Sequence, residues 1–350
     1  MVTNIDIGTH RIGPDYPCFL IAEAGVNHNG SLEMAMRLVD AGKEAGADAV
    51  KFQTWITEKL MVPDAPLADY QKQNIGDDQS QFDMAKKLEL SFQEFGELKS
   101  HADRQGILFF STPDEEDSAD FLDELGVPLF KIGSGEVTNL PFLYHVALKH
   151  KPIILSTGMS TLSEVEAAVG AIEDAGNQQL VLLHCVSNYP AEPADINLRA
   201  MDTLKSAFQY PVGYSDHTLG THVSLAAVAL GACVLEKHFT LDKTLVGPDH
   251  IMSLDPVELA NMMGTVRSVE SALGTGRKYP VDAEISTKEV AQKSIVAARY
   301  IPQGKSLEPS DLTLRRTGAG LAPPYMQQII GRKTNHAIGV NQVITTGMLT

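Results

Sequence analysis

Val212–Thr240 reads VGYSDHTLGTHVSLAAVALGACVLEKHFT, and its pattern decides the architecture. A short apolar run ends in polar residues at Ser215 and His217. A stretch of helical spacing follows, and a second run, Cys233–Thr240, ends in Glu236 and His238. Strand, helix, strand is the unit of a parallel sheet, because a parallel neighbour is reached only by a crossover. Toward the N-terminus the rhythm recurs at Phe19–Gly25, Ala49–Thr54, Ile107–Pro113, Leu129–Glu136, Ile153–Met159 and Leu180–Tyr189, eight runs counting Val212–Thr218 and Cys233–Thr240. Helix signals lie between them: Ser31 before a stretch rich in Ala, Met and Leu, Ser91 before Phe92–Gln105, and Thr161 with Glu164 at capping-box spacing. Eight strand and helix units in roughly 240 residues predict an α/β fold, a TIM (β/α)8 barrel. An open doubly wound sheet would offer a glycine-rich phosphate loop after its first strand, and no GxGxxG or Walker sequence follows Phe19–Gly25.

Thr57–Leu90, with Pro63, Pro66, Asp77 and Asp78, is too long for a plain connection and is expected to be a functional loop over the barrel mouth. From Ser294 the character changes. Ser294–Ala298 and Leu312–Arg316 read as strands of a small β-rich C-terminal domain punctuated by Pro and Gly. The expected division is a barrel at 1–280, a linker at 281–293 and the small domain at 294–350. A domain of about sixty residues is marginal alone and is expected to pack against something.

Of 350 residues, 43% are hydrophobic and 21% charged, enough for a sizeable core. Lys and Arg number 28 against 44 Asp and Glu, a net charge of −16 that argues against nucleic-acid or anionic-membrane binding. An anionic ligand must therefore be gripped by locally concentrated cations. Cys18, Cys185 and Cys233 are odd in number and far apart, which suits neither a disulfide framework nor a zinc site, and a cytoplasmic location is expected. The start lacks a basic stretch followed by an apolar core, and the run around Val223–Leu235 is too short to span a bilayer, so a soluble protein keeping its N-terminus is expected.

In such a barrel the active site lies at the C-terminal ends of the strands. Those ends supply Glu23, Lys51 with Gln53, Ser111 with Thr112, Lys131 with Ser134 and Glu136, Ser156 with Thr157, Ser187 with Tyr189, Ser215 with His217, and Glu236 with His238. One Ser or Thr at a strand end often only caps the next helix, but eight polar ends on one rim are hard to dismiss. His217 and His238 end neighbouring strands, and Glu23 ends the strand that adjoins them on closure. Two imidazoles and a carboxylate with room for water suit a divalent metal, manganese before magnesium or cobalt, although core histidines bonded to backbone would leave the same spacing. Lys51 and Lys131 lie inside apolar runs and must reach toward the mouth, where with hydroxyls and free N–H groups they make a phosphate or carboxylate cradle. A Schiff-base aldolase using one lysine is the rival chemistry, and a non-catalytic carbohydrate-binding protein the rival class.

The strand ends carry IAEAGVNHNGS at Ile21–Ser31, VKFQT at Val50–Thr54, STP at Ser111–Pro113, KIGSGE at Lys131–Glu136 and ILSTGM at Ile154–Met159. LLHC at Leu182–Cys185, GYSDHTLG at Gly213–Gly220, EKHFT at Glu236–Thr240 and GPDH at Gly247–His250 follow. In this order they resemble the sialic acid synthases, which condense phosphoenolpyruvate with an N-acylated amino sugar to give nine-carbon 2-keto sugar acids. SIVAARYIPQGKSL at Ser294–Leu307 and LRRTGAG at Leu314–Gly320 resemble that family's antifreeze-like, or SAF, domain. The resemblance implies metal ligands at His217 and His238, and phosphoenolpyruvate contacts at Lys51, Thr112, Lys131, Ser134, Ser156 and Ser215. It implies catalytic carboxylates at Glu23 and Glu136, and acceptor-sugar contacts at Gln53, Tyr189, Asp249 and Arg316. It further implies a domain-swapped homodimer in which Arg316 reaches the neighbouring barrel. N-acetylmannosamine is the first acceptor expected, and a 2,4-diacetamido trideoxy sugar, giving a legionaminate, the second. Thr317 stands where the family often has proline, and Gln292 where some members place an aromatic.

Overall fold

In the computed structural model, which describes residues 4–75 and 80–350, a hairpin of β1 (Ile5–Ile7) and β2 (His10–Ile12) precedes the barrel. Three-residue strands are too short to show an alternation in sequence, and this hairpin was not expected. Ile5, Ile7 and Ile12 bury fully in the main core. All eight expected runs contain a barrel strand: β3 (Phe19–Gly25), β4 (Ala49–Thr54), β5 (Leu108–Pro113), β6 (Phe130–Ile132), β7 (Ile153–Ser156), β8 (Leu180–Cys185), β9 (Val212–Asp216) and β10 (Val234–His238).

These strands are parallel in the order β5-β4-β3-β10-β9-β8-β7-β6, and β5 and β6 lie side by side, which brings the sheet round into a barrel. Several strands are shorter than read. The run Leu129–Glu136 keeps only Phe130–Ile132 as strand, and Ser134–Glu136 turns into a 3-10 helix where the chain leaves the ladder at the mouth. Nearly every strand residue is buried, because core lies inside the barrel and helices cover its outside, so the runs read as continuous apolar stretches.

The expected caps form. Ser31 accepts from the Met34 N–H at the start of the helix Leu32–Glu44, while Ser91 with Glu94 and Thr161 with Glu164 make full capping boxes. Alternation along β9 and β10 separates two faces. Ser215 bonds Glu236 on the barrel side, whereas Asp216 and Lys237 pair with each other and Asp216 takes a bond from Ser224 of the covering helix His222–Ala229. Gly213 has no room for a side chain: a Cβ there would lie 2.4 Å from the Val234 carbonyl oxygen.

The segment expected to be a loop is largely helical, with helices Thr57–Leu60, Asp69–Ile75 and Gln81–Leu88; Asp77 and Asp78 lie outside the described residues. Its Leu67, Met84, Ala85 and Leu88 pack with Val26 and Trp55 in a small core of their own. Apolar side chains at helical spacing in Met84–Leu88 drive this, and the prolines at 63 and 66 only delimit it.

The chain divides into two units, Met1–Gly274 and Thr275–Thr350. In the second, the interval read as a linker holds the helix Asp282–Ala291, in which no residue is buried. Then β11 (Lys293–Ala297) pairs antiparallel with β12 (Leu312–Arg316). A separate core of Ile295, Ile301, Leu307, Ile338 and Ile344, among others, supports the pair. Asp311, with its side chain fully buried, receives Arg299 and Lys305, each at 2.7 Å. Among the described residues no helix is long and apolar enough to cross a membrane.

Candidate active site

The strand ends converge at the C-terminal mouth. Register sets Lys51 of β4 beside Glu23 of β3, and Glu23 beside His238 of β10. Lys51 Nζ lies 2.8 Å from Glu23 Oε2 and donates to Thr112 Oγ1 at 2.9 Å. Lys131 Nζ donates to Ser156 Oγ at 2.7 Å and to the Ile132 carbonyl at 3.1 Å. Between the two ammonium groups stands Glu236, whose Oε1 is 3.9 Å from each and accepts from Ser215 Oγ at 3.2 Å. Lys51, Lys131, Ser215 and Glu236, from β4, β6, β9 and β10, are all buried, as are Glu23, Thr112 and Ser156.

Glu236 is the member whose role sequence reasoning missed. Burial opposes its charge, yet Lys131 and Lys51 hold its carboxyl below the usual range, and its Oε2 has no hydrogen-bond partner. Burial also works against Lys51, but Glu23 and Glu236 raise it; burial lowers Lys131 despite Glu236. Glu23 is pushed up to about 7 by burial, against the pull of Lys51. The cradle thus carries its own counter-charge between the two lysines.

His217 and His238 face one another with ring centroids 5.5 Å apart, and Tyr189 packs against His217 at 4.2 Å. Burial keeps both imidazoles neutral, bringing His217 down to about 4. His217 Nδ1 lies 2.7 Å from the Val186 carbonyl, which can only accept, so the proton is on Nδ1 and Nε2 presents a lone pair. His238 Nδ1 is buried without a hydrogen-bond partner, 3.8 Å from Asp249 Oδ2. Two neutral imidazoles with such nitrogens are donors that a first-row divalent ion accepts. Among the described residues no three His, Cys, Asp or Glu side chains stand together as a ready set, so other positions would fall to water and substrate.

Gln53, Tyr189, His238 and Asp249 line a cavity of about 230 Å³ together with Val26, Trp55, Leu60, Met61, Met84 and Leu88. Gln53 Nε2 also donates to Glu23 Oε1 at 3.1 Å. Ser134 joins the cradle indirectly: its Oγ accepts from the Gly158 N–H at 2.9 Å and lies 3.2 Å from Cys185 Sγ. A Cβ on Gly158 would come within 2.9 Å of that Oγ, so only glycine lets the backbone approach. Glu136 accepts from Asn139 at 2.6 Å. Arg316 belongs to the second unit and is exposed at the end of β12. Asp114 lines the cavity and was not foreseen, because it follows Pro113 outside the apolar run, in the acidic string Asp114–Asp117.

Comparison with known proteins identifies the family. The N,N'-diacetyllegionaminic acid synthase of Legionella pneumophila is 48% identical over 325 residues, 92% of this chain and 91% of that protein. The N-acetylneuraminate-9-phosphate synthase of Homo sapiens is 38% identical, with 92% and 90% covered. A crystal structure of the sialic acid synthetase of Leptospira borgpetersenii in complex with citrate superposes with a TM-score of 0.72 at 36% identity, over 82% of this chain and 95% of that one. The SAF domain model matches residues 292–350 and the NeuB family model residues 38–278; the chain belongs to the NeuB family and ends in a SAF domain.

Proposed function

We propose that the protein condenses phosphoenolpyruvate with an N-acylated amino sugar, releasing phosphate and a 2-keto sugar acid. The observation that carries this is the buried pair Lys51 and Lys131 converging on one carboxylate oxygen beside two neutral imidazoles. The lysines, with Thr112, Ser134, Ser156 and Ser215, hold the phosphate and carboxylate of phosphoenolpyruvate. A divalent ion, manganese by preference, held by His217 and His238, would supply Lewis acidity at the acceptor carbonyl. Positioning does the rest: the enol methylene carbon is fixed against that carbonyl carbon, and the cradle offsets charge repulsion. Glu23, tied to Lys51 and Gln53, is assigned to the water that adds to the phosphate-bearing carbon, and Glu136 to the outer edge of the reacting carbons.

The acceptor is proposed to be a diacetamido trideoxy sugar, with N-acetylmannosamine second. Val26, Trp55, Leu60, Met61 and Met84 give the cavity an apolar wall suited to methyl groups of an extra acyl chain and a deoxy position. The 48% identity to a legionaminic acid synthase points the same way. Gln53, Tyr189 and Asp249 would bond the sugar's polar groups. The reading includes a cytoplasmic homodimer in which Arg316 of one subunit completes the acceptor site of the other. Support comes from the helix Asp282–Ala291, in which no residue is buried and Ile285 and Val290 are exposed.

The test is phosphate release from phosphoenolpyruvate with manganese and each sugar. The expected outcome is a kcat/KM at least about tenfold higher for the diacetamido sugar. The reverse order restores N-acetylmannosamine. Borohydride trapping of a lysine adduct would instead favour the aldolase.

A further inference from the structure

Asp114 has no part in the assignments above, yet it stands where they meet. Its backbone N–H donates to the Thr54 carbonyl at 3.1 Å, extending the pairing of β5 with β4 one residue past the ladder and fixing its position at the mouth. It lines the acceptor cavity together with the ionisable groups Tyr70, Tyr189, His238 and Asp249. Lys51 on β4, Lys131 on β6, Glu136 beyond β6 and its neighbour Glu115 act on it electrostatically, so it lies between the cradle and the cavity. Among the other carboxylates, Glu23 is engaged by Lys51 and Gln53, Glu236 by Ser215 and Glu136 by Asn139, while Asp249 lies 3.8 Å from His238 Nδ1. Asp114 has no side-chain hydrogen bond or ion pair among the described residues. Burial, then Glu136, push its carboxyl up to about 7, against the two lysines. An anion seated on those lysines cancels their pull and favours the protonated form further.

We propose that Asp114 is the proton donor of the condensation, a role that rests on the synthase reading. The methylene carbon of phosphoenolpyruvate bonds to the acceptor carbonyl carbon, the carbonyl π pair moves to oxygen, and that oxygen takes the Asp114 proton. Water, addressed by Glu23, adds to the cationic carbon that bears the phosphate, and the proton it sheds passes by way of Glu23 to restore Asp114. The carbon–oxygen bond to phosphate then breaks with its electron pair on phosphate. The hydroxyl proton leaves with it, and a keto group remains.

Two measurements on Asp114→Asn, with Asp114→Glu as control, test this. Proton uptake on phosphoenolpyruvate binding, from calorimetry in buffers of different ionisation enthalpy near pH 7.5, is expected to fall in Asp114→Asn and persist in Asp114→Glu. Turnover is expected to fall about a hundredfold or more in Asp114→Asn, with partial recovery in Asp114→Glu and phosphoenolpyruvate affinity within a few fold of wild type. Unchanged proton uptake, or near-normal kcat with only a raised acceptor KM, overturns the proposal. Wild type that binds phosphoenolpyruvate but releases no phosphate with any N-acylated amino sugar overturns the synthase reading and this role with it, whereas a loss confined to the variant leaves that reading intact.

Discussion

Lys131 carries the sharpest prediction for a single side chain. It is buried, bonded to Ser156 and 3.9 Å from Glu236, so its removal takes a charged donor from a water-excluded site. Lys131→Ala is expected to lose about 3 kcal/mol of transition-state stabilisation, roughly a hundredfold in rate, while keeping the wild-type circular dichroism spectrum. His217→Ala is expected to abolish manganese binding by electron paramagnetic resonance, and chelation of wild type to abolish turnover until manganese is restored. Residues like these were legible because a Lys, His or Glu interrupting an apolar strand run has few places to go except the barrel mouth. Glu236 was legible as a strand end but not as a counter-ion, since only the three-dimensional register sets it between lysines from β4 and β6.

Among the elements, the barrel strands were readable because burial on both faces makes continuous apolar runs, and their helices because caps such as Ser91 with Glu94 announce a start. The hairpin β1 and β2 and the helix Asp282–Ala291 were not, one being too short for a period and the other lacking a buried face. Element-scale electrostatics gives two pH predictions. Asp311, held down to about 2 by its lysine, backbone and arginine bonds although burial opposes this, has an ordinary value of 3.8. Its folded value is the lower, so it contributes about 2 kcal/mol that is present above pH ~4 and lost as pH falls toward 2. Asp311→Asn is expected to lower the unfolding midpoint of the C-terminal unit at pH 7 and flatten its acid dependence. His28 and His250, brought from 6.5 to about 4 by burial, stay neutral in the fold. Between those values the unfolded chain binds protons that the native chain refuses, so urea midpoints are expected to hold above pH 6.5 and decline toward pH 4. A flat midpoint across that window would contradict the burial of both rings.

For the whole molecule, the division into a barrel and a small β-rich unit followed from the change in pattern at Ser294, and the boundary at Gly274 lies close to the polar stretch around Pro280. The proposed homodimer draws its support from an exposed helix and an exposed Arg316, and light scattering is expected to give twice the 37.9 kDa chain mass. Arg316→Ala is expected to raise the acceptor KM at least about tenfold and to leave the dimer and manganese affinity unchanged. Loss of both together would mark a folding defect. The carboxylate wedged between the paired lysines has a last consequence, for traffic through the enzyme. Under the proposed function an incoming phosphate ester competes with this carboxylate for the lysines, so its grip is expected to be weaker than two bare cations would give, and release of the spent inorganic phosphate correspondingly easier. Neutralising the competitor, as in Glu236→Gln, should trade fast clearance for tenacious inhibition by product.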